Sequence, residues 1–437
     1  KTDVLVKAEN TGYIILLREG VFYKYVLPTP YSPEAVCTDF KKILSAKSIE
    51  RASGLAHLTG CRRGTVGKWM AILEKDVVNR ESLAVINKSM FFVNFETMSP
   101  PQERGELHRM TYTGNLANRW FHTSLQIVVY ENGQAASVQS NRNYIDGNVG
   151  LRFASELFLG AKNLKLQNEV TESSRSAITH LPFMVPTNAV ENWKKEVNEF
   201  IRPTSDYFRL KDIGNGILRN SLANSDTLFM IALQMASKKQ IGRFASIIQL
   251  VNMSLYRGMG LNHALVSTPA VREFIDLAQK GESSKETLIE SLEKAVKSYK
   301  AAQNEARAGM PTIHILHYWM MKASPLQKSI AVFFMLMTGI PGCKADGITS
   351  HPKMYPGNRT VGRPGIYIPY LSMFGLHYLI HENDIDLMFM PGKGTNLDLK
   401  SFSEDIRESL MLLKNLVPKV QVADERASQR APDFYAT

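Results

Sequence analysis

Residues 118–150 run NRWFHTSLQIVVYENGQAASVQSNRNYIDGNVG and predict a strand, a tight turn, a second strand, and a loop that opens into a helix. Leu125, Ile127 and Val129 alternate with Gln126, Val128 and Tyr130, the two-residue period of a strand. Asn132-Gly133 predicts the hairpin turn, because both residues tolerate the positive φ that a tight two-residue turn needs. A polar loop from Gln139 to Asn148 follows, closing on Asp146-Gly147, and residues 149–158 turn helical. A polar loop at the end of a core strand is where a fold can present a catalytic side chain.

Working outward toward the N-terminus, residues 12–27 (TGYIILLREGVFYKYV) predict two strands about the turn Arg18-Glu19-Gly20. Ser32 as cap, Pro33 at the first helical position and Glu34 behind it start a helix with Val36, Phe40, Ile43 and Leu44 on one side. Further helices are expected at Thr65–Leu73 and Asn79–Ser89, the second capped by Asn79, and then a strand at Met90–Phe95. Toward the C-terminus, residues 160–190 are polar and run into Pro182 and Pro186, which puts a domain junction near residue 185. The expected domains are therefore 1–185 and 186–437. An amphipathic helix, Ala189–Ile201, opens the second. Ser284–Arg307 reads as a surface helix with Leu288, Leu292 and Val296 on one stripe. An apolar helix at Ile330–Met337, an irregular loop over residues 339–365, strands at Ile366–Ile368, Leu376–Ile380 and Ile385–Met390, and a tail from Pro418 complete the chain. Strands and helices alternate in both halves, as in an α/β protein.

A chain of 437 residues can bury a large core and is long enough for two domains or more. The net charge is +11, but the basic residues are dispersed, and the densest spots are pairs such as Lys41-Lys42 and Lys238-Lys239. This is a solvated basic surface rather than a nucleic-acid arm, so no sequence-specific nucleic-acid binding is expected. It remains compatible with an anionic ligand or an anionic protein or lipid surface. Cys37, Cys61 and Cys343 are too far apart for a metal motif or a disulfide framework. The longest apolar run, Ile330–Ile340, is short of a membrane span, and KTDVLVKAEN resembles neither a signal nor a transit peptide. No G-x-S-x-G, P-loop or H-E-x-x-H motif occurs.

Several motifs in this sequence resemble those of the choline/carnitine acyltransferases. Asn118, Arg119, Trp120, Phe121, Leu125 and Gln126 fall on that family's N-R-W frame; Glu131-Asn132-Gly133 and Asp146-Gly147 match its turn and loop. Leu58-Thr59, Arg62, Trp69-Met70 and Asn79-Arg80-Glu81-Ser82 match an upstream segment. Asp226, Ala232, Leu233, Gln234 and Ala236 match a helix of the second half. The resemblance runs from about Tyr13 to about Met390 and implies two similar halves, each a mixed sheet covered by helices, of the chloramphenicol acetyltransferase type. It also implies a further helical N-terminal portion that this sequence lacks or does not show.

In that family a His four residues before the loop acid takes the proton from a carnitine or choline hydroxyl, which then attacks an acyl-CoA thioester. The resemblance puts Arg142 at the His and Asp146 at the acid. A guanidinium, with a pKa above ~12, has no lone pair for a proton at neutral pH. Of two lysines that hold the coenzyme A phosphates, the first is Asn215 here and the second Arg219, beside Gly214 and upstream of Asp226. The carnitine-binding Tyr and Thr fall on Gln249 and Asn262. Ser350, in Ile348-Thr349-Ser350, is the nearest remnant of the oxyanion-stabilising serines. His122 and His351 are the histidines on which a relocated base would draw, while His314 and His317 sit at a structural position.

These losses point to a non-catalytic acyltransferase relative, an accessory subunit of a large mitochondrial assembly such as a respiratory complex or ribosome, with no cofactor. Two alternatives stand beside it: an active carnitine or choline O-acyltransferase with a relocated base, and an acyl-CoA sensor that binds coenzyme A through Gly214, Arg219 and Asp226. Peroxisomes are the alternative compartment.

Overall fold

The computed structural model describes residues 11–45, 52–103, 106–107, 110, 114–130, 136–140, 145, 147–165, 175–200, 206–218, 222–253, 261–309, 322–330, 345–350, 371–391 and 397–417. They form two compact units, the first ending before Asp206 and the second starting there.

The first unit is built on a six-stranded mixed sheet. Its strands are β1 (Tyr13–Arg18), β2 (Val21–Thr29), β3 (Phe92–Glu96), β4 (Leu125–Tyr130), β5 (Ala136–Ser140) and β6 (Arg175–Leu181), in the order β5-β4-β3-β1-β2-β6. β1 and β2 pair antiparallel across Glu19 and Gly20. Their φ angles of 51° and 79° give the turn whose twist suits a hairpin. β1 reads YIILL without alternation because both of its faces are covered. Ile15 and Leu17 pack with Leu55, Trp120 and Trp193 on one face. Ile14 and Leu16 pack with Phe40, Ile43 and Phe95 on the other. The helices are α1 (Pro33–Ser45), α2 (Arg63–Leu73), α3 (Val77–Asn87), α4 (Gly147–Asn163) and α5 (Thr187–Phe200).

The second unit repeats this plan. Its strands, β7 (Asp206–Lys211), β8 (Ile247–Asn252), β9 (Leu261–Leu265), β10 (Ala345–Ser350), β11 (Leu371–Ile380) and β12 (Asp384–Pro391), lie in the order β7-β12-β11-β10-β8-β9. Reading from β9, the pairings run antiparallel, parallel, parallel, antiparallel, antiparallel. The first sheet gives the same series reading from β5. The expectation of two similar α/β halves, each a mixed sheet covered by helices, therefore holds. The helices are α6 (Asn215–Leu218), α7 (Ser225–Ile241), α8 (Pro269–Lys280), α9 (Lys285–Arg307) and α10 (Leu399–Leu416). Asn224, Thr268, Ser284 and Asp398 cap four of them by accepting backbone N–H bonds.

Several expectations need correction. The junction expected near residue 185 lies beyond α5, because Ala189, Trp193 and Val197 on that helix are buried in the core of the first unit. Asn79 does not cap α3; Asp76 does, accepting from Asn79 N. The Asn79 side chain instead exchanges two hydrogen bonds with the backbone of Met184, at 2.9 and 2.7 Å. The supposed surface helix is α9, and Leu292, Ala295, Val296, Tyr299, Gln303 and Ala306 on it are buried. Ile348-Thr349-Ser350, expected in an irregular loop, ends a central strand, since β10 runs parallel to both β8 and β11. β6 through β9 were not anticipated. Residues 331–344 and 351–370 and the tail from Pro418 lie outside the described residues.

Candidate functional site

The helix-covered face of the second sheet is apolar except at one place. Gln249 on β8 follows the buried Ile247 by two residues, and Tyr378 on β11 follows Leu376 by two, so both turn toward the helices. Tyr299 and Gln303, four apart on α9, meet them from above. Asp226, in the first turn of α7, completes the group.

The hydrogen bonds close on themselves. Gln249 Nε2 donates to Asp226 at 3.0 Å and to Tyr378 Oη at 3.0 Å. Gln249 Oε1 accepts from Gln303 Nε2 at 2.6 Å and from the Tyr299 hydroxyl. The Tyr378 hydroxyl donates to Asp226 Oδ1 at 2.6 Å. The Gln249 amide thereby uses both of its hydrogens and both acceptor positions. Burial, and after it the charge of Asp226, pushes the Tyr299 and Tyr378 phenols well above their ordinary range. They are neutral hydrogen-bonding groups, not bases. Nearby on β9, Asn262 is buried and its Nδ2 donates to Ala306 O at 2.7 Å. Its Oδ1 is buried and makes no hydrogen bond among the described residues.

Gly214 and Asn215, the latter put by the resemblance at the first coenzyme A lysine, lie at the turn end of the same sheet. A Cβ on Gly214 would come within 2.6 Å of Asp384 N, Glu382 O and His381 O, so glycine is required for this approach. Asn215 N donates to His381 O at 2.8 Å and Gly216 N to Glu382 O at 3.0 Å, which clamps the start of α6 to the β11–β12 turn. The Asn215 side chain accepts from the Ser225 hydroxyl at 2.7 Å and so ties α6 to the start of α7, next to Asp226. Beneath the turn, His381 Nε2 lies 3.0 Å from Asp386, and the Tyr207 hydroxyl donates to Asp386 at 2.6 Å. The Arg209 guanidinium pairs with Asp384 and stands 3.9 Å from Asp386, so a protein cation already balances these carboxylates. Arg219 lies outside the described residues.

In the first unit the N-R-W segment is a buried polar hinge. Arg119, wholly buried, pairs with the Glu96 carboxylate at the end of β3 and donates to Asn118 O at 2.8 Å. Asn118 Nδ2 donates to Phe95 O at 2.8 Å, and Asn115 Nδ2 to Glu96 at 2.9 Å. Gln126 Oε1 accepts from Asn94 Nδ2 at 2.6 Å and from Trp120 N at 3.1 Å. These residues hold the entry to β4. β5 ends at Ser140 and α4 begins at Gly147, on either side of the loop that carries Arg142 and Asp146, both of which lie outside the described residues. His122 is exposed, with its ring 6.3 Å from that of Trp120. His351 lies outside the described residues, and nothing is described of the Ser350 side chain.

The structure thus brings Asp226 and Gln249 into one cluster, with Asn262 on the neighbouring strand and Gly214 joined through Asn215 and Ser225. Sequence reading missed Tyr299, Gln303 and Glu96. Tyr299 and Gln303 continue the stripe of Leu292 and Val296, so the helical period carried the signal. Glu96 had none, because its partner is twenty-three residues away.

The sequence profile of the Choline/Carnitine o-acyltransferase family matches residues 1–408. The chain belongs to this family. Mitochondrial carnitine O-palmitoyltransferase 2 of Xenopus tropicalis is 24% identical over 272 residues, which cover 58% of this chain and 40% of the relative. The muscle isoform of human carnitine O-palmitoyltransferase 1 is 22% identical over 71% of this chain and 42% of its own length. Carnitine O-acetyltransferase of Rattus norvegicus is 22% identical over 64% and 47%. The matches thus span less than half the length of these family members. Among solved structures, the epimerization domain from the third module of tyrocidine synthetase B covers 74% of this chain and 79% of its own, with a TM-score of 0.40 and 11% identity. The first condensation domain of the CDA synthetase covers 75% and 76%, with a TM-score of 0.41 and 10% identity.

Proposed function

We propose that this family member does not transfer acyl groups to carnitine and serves as an accessory subunit of a larger protein assembly. The observation that supports this is the state of Gln249. The resemblance puts it where the family binds carnitine, and its amide is wholly engaged by Asp226, Tyr299, Gln303 and Tyr378. A carnitine carboxylate there would have to displace buried protein hydrogen bonds, each replacement leaving a polar group unmet. Arg142, which the resemblance puts at the position of the family base, agrees with this, since it cannot accept a proton. The carnitine O-palmitoyltransferase 2 relatives are named as mitochondrial, and we carry that compartment to this chain. Incubation of the purified chain with acyl-CoA and carnitine, with free thiol followed by a colour reagent, is expected to show no release above the buffer rate. Turnover that depends on carnitine sinks the proposal. Purification from mitochondria under mild conditions is expected to bring down the same set of partner subunits each time.

A second reading is acyl transfer to a different hydroxyl acceptor. The buried Asn262 Oδ1 favours it, because an amide oxygen can accept from a hydroxyl where it would repel a carboxylate. It requires a base from His122 or His351. Thioester cleavage with a non-carnitine alcohol, lost in His122→Ala or His351→Ala, is its test. An acyl-CoA sensor would instead bind without turnover, and Arg219→Ala would weaken that binding.

A further inference from the structure

Arg62-Arg63-Gly64-Thr65 is the one place in the sequence where two adjacent cations stand three and two residues before a hydroxyl residue. In the structure Arg62, Arg63 and Gly64 are exposed and Thr65 is half-buried. Arg62 is the extended N-cap of α2, and Arg63 to Thr65 begin its first turn. By contrast Ser82, which follows the single cation Arg80, is buried and donates to Pro182 O.

The Arg62 side chain does not cap α2. A carboxylate from α5 meets the helix start instead. Glu196 accepts from Arg62 N at 2.9 Å, and its two oxygens lie 2.9 and 3.1 Å from the Thr65 hydroxyl that donates to them. The next residue, Val197, is buried in the core with Trp193 and Ala189 of the same helix. Thr65 therefore fastens the start of α2 to the last turns of α5 through a single charged group.

We propose that Thr65 is a phosphorylation site for a kinase that selects arginine two and three residues before the acceptor, and that its modification releases α5 from α2. Kinases choose substrates partly by such charge patterns. In the step, the γ-phosphoryl group of ATP passes to Thr65 Oγ1. The bond from the γ-phosphorus to ADP breaks, the new P–O bond forms, and the hydroxyl proton goes to the base of the kinase. The product carries a charge of about −1.5 to −2 at pH 7. It stands where Glu196 now accepts, so the two anions repel and the Glu196 contact is lost. The phosphate replaces it at the start of α2, where the helix dipole and the flanking guanidinium groups favour negative charge. The proposal is independent of whether the chain catalyses acyl transfer.

The full chain is incubated with ATP and the catalytic subunit of cyclic-AMP-dependent protein kinase as the probe, and the product is mapped by mass spectrometry. One phosphate on Thr65 is expected. Thr65→Val should abolish it and Thr65→Ser should restore it. Arg62→Ala with Arg63→Ala, both at exposed positions, should lower the rate by roughly tenfold or more, and thermal melting reports whether each variant keeps its fold. Amide exchange in the last two turns of α5 should quicken by about tenfold on phosphorylation, as for loss of one hydrogen bond to a charged group. In Glu196→Gln, which removes the repelled charge, phosphorylation should quicken exchange far less. Failure to label the folded chain, or labelling of Thr65 only after unfolding in urea, overturns the site. Labelling that the arginine pair does not affect also overturns it. A labelled Thr65 with unchanged exchange in α5, or with the same quickening in Glu196→Gln, overturns the release.

Discussion

At the scale of single residues, Gly214 leaves no room for a Cβ. Gly214→Ala would drive a methyl against three backbone atoms of the β11–β12 turn, none of which can rotate away. Overpacking of this kind costs roughly 1–3 kcal/mol, and urea denaturation should show a loss in that range. The phenols of the buried cluster give a second expectation. In the unfolded chain a tyrosine titrates near about 10. In the folded chain Tyr299 and Tyr378 are raised well above that, by burial first and the charge of Asp226 second. Above the unfolded value the unfolded state has lost protons that the folded state keeps, so stability is full below it and falls as the pH rises past it. Denaturation midpoints at a series of alkaline pH values check this, and Tyr378→Phe should make the fall shallower. Arg119 teaches a different lesson. Its place in the family frame was legible, but its role as the partner of Glu96 was not, because that pair joins a loop to the end of a separate strand.

At the scale of elements, the N-R-E-S tetrapeptide was legible as part of a helix but misread as its cap. Asp76 does the capping, which frees the Asn79 amide to hold both the N–H and the carbonyl of Met184. Ser82, one turn on, donates to Pro182 O at 2.8 Å. One helix thus fastens the segment that leaves β6. Asn79→Ala should cost roughly 2–3 kcal/mol, since two backbone groups lose their partners, whereas Ser82→Ala should cost roughly 1 kcal/mol. Thermal denaturation of the two variants separates them; equal effects would mean that the clamp is not what stabilises the segment. Helix α9 shows the opposite failure. Its lysines and glutamates made it look like a surface element, yet one narrow stripe carries it into the core and presents Tyr299 and Gln303 to Gln249. α9 is identified as buried only when the strands beneath it are in place.

At the scale of the molecule, the two units carry separate cores. Phe374 belongs to the second and Phe92 to the first, and both are buried. Phe374→Ala should destabilise by roughly 3–5 kcal/mol. Amide hydrogen exchange is expected to quicken in β10 to β12 while protection of β1 to β4 stays unchanged. Phe92→Ala should do the reverse, and loss of protection in both units from either change would show that they unfold together. The matching series of strand pairings makes this independence physically reasonable, because each sheet closes its own layer of helices.

The sequence by itself determined the kind of many elements, though not of β6 to β10, and much of the family frame, because those signals are local. A two-residue period, a positive-φ turn at Glu19-Gly20 and a capping serine before Pro33 act within a few residues of chain. Tertiary structure alone decided which polar residues meet. Asp226, Gln249, Tyr299, Gln303 and Tyr378 come from three elements of sequence widely separated from a fourth, and each is unremarkable where it stands in the chain. Burying any one of them alone would leave a polar group unmet, so they are stable only as a set. That requirement is imposed by the packed sheet and its helices, and no stretch of the sequence contains it.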